Sequence, residues 1–272
     1  MDRPIMFKNA HQVTMRQKVG TAQNLYLSSP QNRGLGAGAA FTNTSTIQRP
    51  ILIQTLNIDG TDDQGDITEI TIAGLSLFVS DQSACLAAFS SKSFGSRNRS
   101  VGVSALNNQT VVVQGSLVNG GNVGVAIAVD PLEARSVKSP ANQAKAYNFV
   151  FGLGTVSIPA GGVNTASLIA TATRPCTLGE IILSNHSSGG TAVKSEDVVI
   201  EDIRVAGLSM LCGQTGAQQI PLTALENSSS DLLGLKLSYP IEANARVEVV
   251  LRNYDGANAC QVSGAILIEP WK

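Results

Sequence analysis

The chain has 272 residues, a formal net charge of −1 and only 14% charged residues. That length holds one large domain or two ordinary ones, and it buries roughly three-quarters of the unfolded surface, so folding needs neither disulfide nor metal. Charge well below the usual ~25%, with 26 glycines and abundant Ser, Thr and Asn, argues against an independent, highly soluble enzyme. It suits a chain whose flanks meet copies of itself.

Residues 1–23 carry Arg3, Lys8, Arg16 and Lys18 against Asp2. This basic arm on a mildly acidic body hints at an anionic contact such as nucleic acid or lipid headgroups, while a solvated or self-docking tail accounts for it equally well. Residues 1–20 contain no apolar core of a secretion signal, and no apolar run approaches the ~20 residues that span a bilayer. Cys85, Cys176, Cys212 and Cys260 are widely spaced and form no C-x-x-C pair, which excludes a zinc knuckle and a dithiol redox motif. The expectation is a chain made in a reducing cytoplasm, with the thiols serving as small buried apolar side chains.

Taken in order, the elements predicted are strands. Residues 34–38 (GLGAG) resemble a phosphate loop superficially, but no helix, Lys or Ser/Thr follows in place, so a glycine turn is expected. Residues 51–58 and 67–72 read as strands, with 57–60 (NIDG) as a turn between them. The acidic stretch 59–66, with Asp59, Asp62, Asp63 and Asp66, offers oxygen ligands suited to calcium; its spacing is not that of an EF-hand loop, and a solvated loop is the plainer reading. Residues 83–89 could form one helical turn. Strands follow at 111–118 and 123–129 around an NGGN turn at 119–122, then a short helix is possible within 131–146. Strands at 198–205, 232–237, 246–251 and 262–268 complete the series, with a turn at 253–256. Each run is short, alternating or β-branched, and bounded by Gly, Asn, Asp, Ser or Pro. Alternating β and α segments are absent, which speaks against a nucleotide-binding parallel sheet.

The chain also resembles itself. TIQRP at 46–50 is matched by TATRP at 171–175, ITIAGLS at 70–76 by IRVAGLS at 203–209, and VAIAVDP at 125–131 by GAILIEP at 264–270. The order is kept and the displacement grows along the chain, as loop insertions in a second copy would produce. The fold expected is therefore all-β: two tandem antiparallel β-sandwich (jelly-roll) domains. The boundaries expected are an arm at 1–23, a first jelly roll at 24–131, a linker at 132–145 and a second jelly roll at 146–272, each sandwich burying its inward faces separately. The shared AGLS marks a bend that needs Gly, and the shared Arg-Pro places Pro at a strand start. A ligand role for Arg49 and Arg174 is a minor alternative.

Chemistry is hard to find. His11 lies in the arm and His186 in a turn sequence (NHSSGG, 185–190), where a solvated histidine is expected. No G-x-S-x-G, H-E-x-x-H or P-loop pattern occurs. Aromatic residues are 4% of the chain, too few for a base-stacking platform or a typical sugar site. No catalytic, cofactor-binding or metal-ligating residue is assigned, no cofactor is expected, and the chain is read as a structural protein rather than an enzyme.

A tandem pair of β-sandwiches behind a short arm, without a catalytic constellation, resembles the double jelly-roll major capsid proteins of tailless icosahedral viruses, including membrane-containing bacteriophages. The resemblance rests on the architecture of residues 24–270 and matches no family motif residue by residue, so it carries over no functional residue. It implies a homotrimer whose six jelly rolls form a pseudo-hexameric capsomer in a virion shell. Neighbouring capsomers and other virion proteins would be partners, and the arm would lie near an internal membrane or the genome. A minor capsid, spike or tail-associated protein, or a non-viral ligand-binding or adhesive sandwich pair, are the alternatives.

Overall fold

A computed structural model describes residues 25–27, 32–61, 64–90, 101–131, 150–186, 193–211, 219–224 and 236–269. The arm, the linker with its possible helix, His11, Asp62, Asp63 and Cys212 lie outside the described residues. Apart from short 3-10 turns, the regular elements described are all strands, arranged as four antiparallel sheets.

In the first unit one sheet runs β1 (Leu25–Leu27), β10 (Gly121–Pro131), β4 (Ile51–Gly60) and β8 (Val103–Ala105), with β2 (Asn32–Leu35) also on β10. Facing it, the second sheet runs β3 (Ala40–Thr46), β9 (Thr110–Leu117), β5 (Gly65–Ile72) and β6 (Leu75–Ser76), with β7 (Ala84–Cys85) also on β5. In the second unit, β11 (Val150–Ile158), β19 (Cys260–Glu269), β13 (Cys176–His186) and β17 (Lys236–Ile241) form one sheet. The other holds β12 (Thr165–Thr171), β18 (Arg246–Asn253), β14 (Val198–Val205) and β15 (Leu208–Ser209), with β16 (Ile220–Pro221) on β14. Counting the short neighbours β1/β2, β6/β7 and β15/β16 as single strands, each unit pairs its first, last, third and sixth strands in one sheet. The second, seventh, fourth and fifth pair in the other. That is the connectivity of a jelly roll, so the all-β tandem sandwich expected from the sequence is the fold.

The units agree below the level of strand order. The AGLS motifs form matching two-residue hairpin turns: Ala73 and Gly74 have φ of 53° and 82°, Ala206 and Gly207 of 50° and 83°. Both turn residues are left-handed, the geometry that suits the right-handed twist of a hairpin; a Cβ on either glycine would meet nothing within 4 Å, so the glycine serves φ and not space. The register of β5 on β9 shifts between Ile67 and Glu69, and that of β14 on β18 between Ile200 and Asp202, one bulge at matched positions. Asn108 and Asn244 take φ of 65° and 66° in matching turns before β9 and β18, a correspondence that the surrounding sequence hides. Pro50 and Pro175 stand immediately before β4 and β13 rather than as their first residues.

Several sequence expectations shift. Residues 57–60 are not a turn: they continue β4, pairing Asn57 with Ala126 and Gly60 with Val123. Their polar side chains lie on the sheet's outer face, where Asn and Asp cost little. β3 escaped notice because its inward positions include Asn43 and Ser45, which are buried, so its apolar alternation is broken. The helical turn expected at 83–89 is a 3-10 turn over Leu86–Phe89.

The largest correction concerns the core. The two sandwiches do not bury their interiors separately. One continuous set of buried apolar residues runs from Phe41 through Ala84, Cys85 and Leu86 to Leu267 and Ile268. After β6 the chain leaves the first sandwich, lies along the second, and returns through β7; the buried surface is joined through this segment.

Candidate functional site

With no catalytic constellation predicted, the place where the structure concentrates polar geometry is the seam between the units. It is built on the strap of residues 77–85. Val79 donates to Val150 O (3.0 Å), Val150 donates back to Leu77 O (2.9 Å), and Thr173 donates to Val79 O (2.8 Å). Asp81 then pairs twice with Thr171: its N–H donates to Thr171 O at 3.2 Å, and its Oδ1 accepts the Thr171 N–H at 2.8 Å. Gly154 donates to Ser83 O (2.8 Å). The strap thus behaves as an added strand whose backbone groups are satisfied by the other unit, as buried backbone requires.

Gly152 explains where the strap can cross. A Cβ at this position would lie 2.2 Å from Gln82 O and 2.3 Å from Ser83 O, closer than atoms can approach, so only glycine admits the chain overhead. Beneath it, Ile182, Ser263, Ala265 and Leu267 on the outer face of the β11–β19–β13 sheet are buried. The Cys85 thiol reaches Ile182 O at 3.8 Å.

Arg174, one of the two repeated arginines, sits at the same seam. Its Nη2 donates to Ser76 O (3.3 Å) and Phe78 O (3.4 Å) of the first unit. Arg49, its counterpart, is exposed. The paired arginines therefore do not form one ligand site; one of them clamps the seam.

His186 is not in a solvated turn. It is the last residue of β13, fully buried, with Nε2 hydrogen-bonded to Ser263 Oγ. Burial holds its imidazole below the usual histidine range, with the Asp66 carboxylate of the first unit pulling the other way. Asp66 Oδ2 accepts a hydrogen bond from Thr155 across the seam at 2.7 Å. A Ser–His contact invites a nucleophile–base reading. Yet Nδ1 is buried without a partner among the described residues, so no acceptor orients the ring. Ser263 is itself 0% exposed. The pair belongs to the packing of the seam.

The other residues singled out from sequence are placed as follows. Of the expected glycine turn at 34–38, only the later part is a turn: Gly38 has a positive φ in the connection from β2 to β3, whereas Gly34, also at positive φ, lies within β2. Of the acidic stretch, Asp59 ends up on β4, accepting from Ser90 Oγ, and Asp66 on β5 faces the seam; among the described residues no group of three or more His, Cys, Asp or Glu could hold a metal. Cys85, Cys176 and Cys260 are free and buried, the role expected of them; burial pushes the Cys85 thiol up to about 12 and those of Cys176 and Cys260 up to about 11. Weak charge on the flanks holds less well in the second unit, where Arg204 pairs with Asp202 (2.7 Å) and Glu248 (3.7 Å), and Arg252 with Glu201. Among the described residues no helix is long and apolar enough to cross a membrane.

No protein family matches the chain, and no curated protein matches it in sequence. Among solved structures, a recombinant peptide:N-glycanase F is similar over 89% of this chain and 95% of its own, at 8% identity and a TM-score of 0.32. A similarity that low carries no argument about this chain's activity.

Proposed function

We propose that this chain is a major capsid protein whose trimers form pseudo-hexameric capsomers of an icosahedral virion shell. The observation that carries the reading is that two jelly rolls of identical connectivity are fastened side by side by a built, largely backbone seam. A rigid pair of like modules turns three chains into six similar tiles, and a sixfold-like tile needs no six identical subunits. The seam also supports a structural role: its buried polar pair, His186 and Ser263, is used for packing. Heterologous contacts between such modules close into rings and shells. The arm at 1–23 would then reach beneath the shell towards a membrane or genome, or clasp a neighbour.

Native mass spectrometry of the purified chain tests this. The expected species is a trimer, three times the 28.3 kDa chain, and negative-stain images are expected to show hexagonal tiles or shells. A chain that remains monomeric at micromolar concentration would end the proposal.

A further inference from the structure

The contact that joins the two units has two sides, and each side occurs twice in the chain, though only one pair is used. On the donor side, the first unit offers the β6 edge, the strap and β7. The second unit has the mates of its two ends, at 208–211 and 220–224. Met210 donates to Ile203 O at 2.7 Å as Leu77 does to Ile70 O at 2.9 Å. β16 lies on β14 (Ile200 opposite Ile220) as β7 lies on β5 (Ile67 opposite Ala84). A 3-10 turn follows each, Leu222–Ala224 and Leu86–Phe89. Burial separates the copies. Ala84 and Cys85 are fully buried, whereas Pro221 is exposed, Ile220 half-buried, and Leu208 on β15 is 58% exposed.

On the acceptor side, the second unit offers Ser263, Ala265 and Leu267 together with Arg174. Their mates in the first unit are Gly124, Ala126 and Ala128 on β10, with Arg49. Ala126 is exposed and Gly124 and Ala128 half-buried, where the second unit's three are sealed. The side chains there are small, leaving a shallow face beside an exposed arginine.

We infer that the second unit of one chain docks on the first unit of the next through the two ends of the corresponding contact, without the close strap crossing that Gly152 permits within the chain. Residues 208–211 and 220–224 of one copy cover the Gly124, Ala126 and Ala128 face of its neighbour, and the neighbour's Arg49 takes the carbonyls of Ser209 and Leu211, as Arg174 takes those of Ser76 and Phe78. The occupant is a second copy because the element seated on the equivalent face inside the chain is this chain's own. The contact is head to tail, so it propagates from copy to copy until the ring closes. The inference rests on the capsomer reading, which supplies the ring of three.

Two exposed positions test it. Arg49→Glu spoils the acceptor and keeps the donor; Leu208→Glu does the reverse. Native mass spectrometry at micromolar concentration is expected to show trimers for the unaltered chain and loss of trimers to monomers for each variant, with thermal unfolding unchanged. An equimolar mixture of the two variants is expected to form heterodimers that cannot close, since it restores one intact contact. Variants that still form trimers, or a mixture that stays monomeric, would overturn this docking while leaving the capsomer reading in place; an unaltered chain without trimers overturns that reading instead. If Arg49→Glu fails to fold, Ala126→Arg on the same face replaces it with the same expected pattern.

Discussion

β10 and β19 hold the same place in their respective jelly rolls, each the last strand and each flanked by the first and third, yet they live in different surroundings. Along β10 buried and solvent-facing positions alternate over most of its length, the pattern of a sheet with one wet face. Along β19 eight of ten residues are buried, because the strap from the first unit covers its outer side. The lesson is that duplicated modules need not remain equivalent. One copy supplies a cover, the other is covered, and sequence drifts to match: Ala126 and Ala128 in the open copy stand where Ala265 and Leu267 are sealed in the other.

The widest split between the copies is expected at the crossing point. Gly152→Val places a side chain into the strap's backbone and is expected to cost about 3 kcal/mol or more, from overpacking against groups that cannot yield; chemical denaturation measures it, and a loss below about 1 kcal/mol would show that the strap slides freely. Next comes the covered face. Leu267→Ala is expected to cost about 3 kcal/mol, while Ala128→Leu at the matched position changes monomer stability by no more than about 0.5 kcal/mol. Equal effects at the two sites would mean the copies are equivalent after all.

The third effect depends on pH. Burial holds the folded His186 below the usual histidine range, so the unfolded chain binds more protons once pH falls below about 6.5. Stability from this group is present above that pH, is lost as pH drops through it, and stops falling below the folded value. The unaltered chain is expected to lose more stability between pH 7 and pH 5 than His186→Gln; parallel melting curves across that range would remove the histidine from the account. The smallest contrast is between the arginines: Arg174→Ala is expected to cost about 1 kcal/mol through two lost carbonyl contacts and Arg49→Ala close to nothing in the monomer.

Much of this architecture is legible in the residues. The strand runs at 67–72, 111–118, 198–205 and 246–251 lie within or overlap observed strands almost throughout, because each has one apolar face and turn residues at its ends. The repeats locate a shared hairpin, and the mates align strand for strand. Where reading fails, a second surface has intervened. Residues 57–60 look like a turn because Asn and Asp face outward on a sheet. β3 lacks an apolar signal because Asn43 and Ser45 are buried within it. His186 looks solvated because nothing in its own neighbourhood announces that another unit will cover it. The seam is invisible for the same reason: the residues that build it, Gly152, Asp81 and Arg174, are ordinary until the partner strand is known.

The strap precedes in sequence everything it covers. A chain emerging from the ribosome amino end first can settle its leading module before the trailing one exists, so Leu77 and Val79 are in place when Val150 arrives to pair with them. The trailing sheet then closes against a template already laid down, and the doubly apolar last strand of that module is spared a wait with an oily side turned to water.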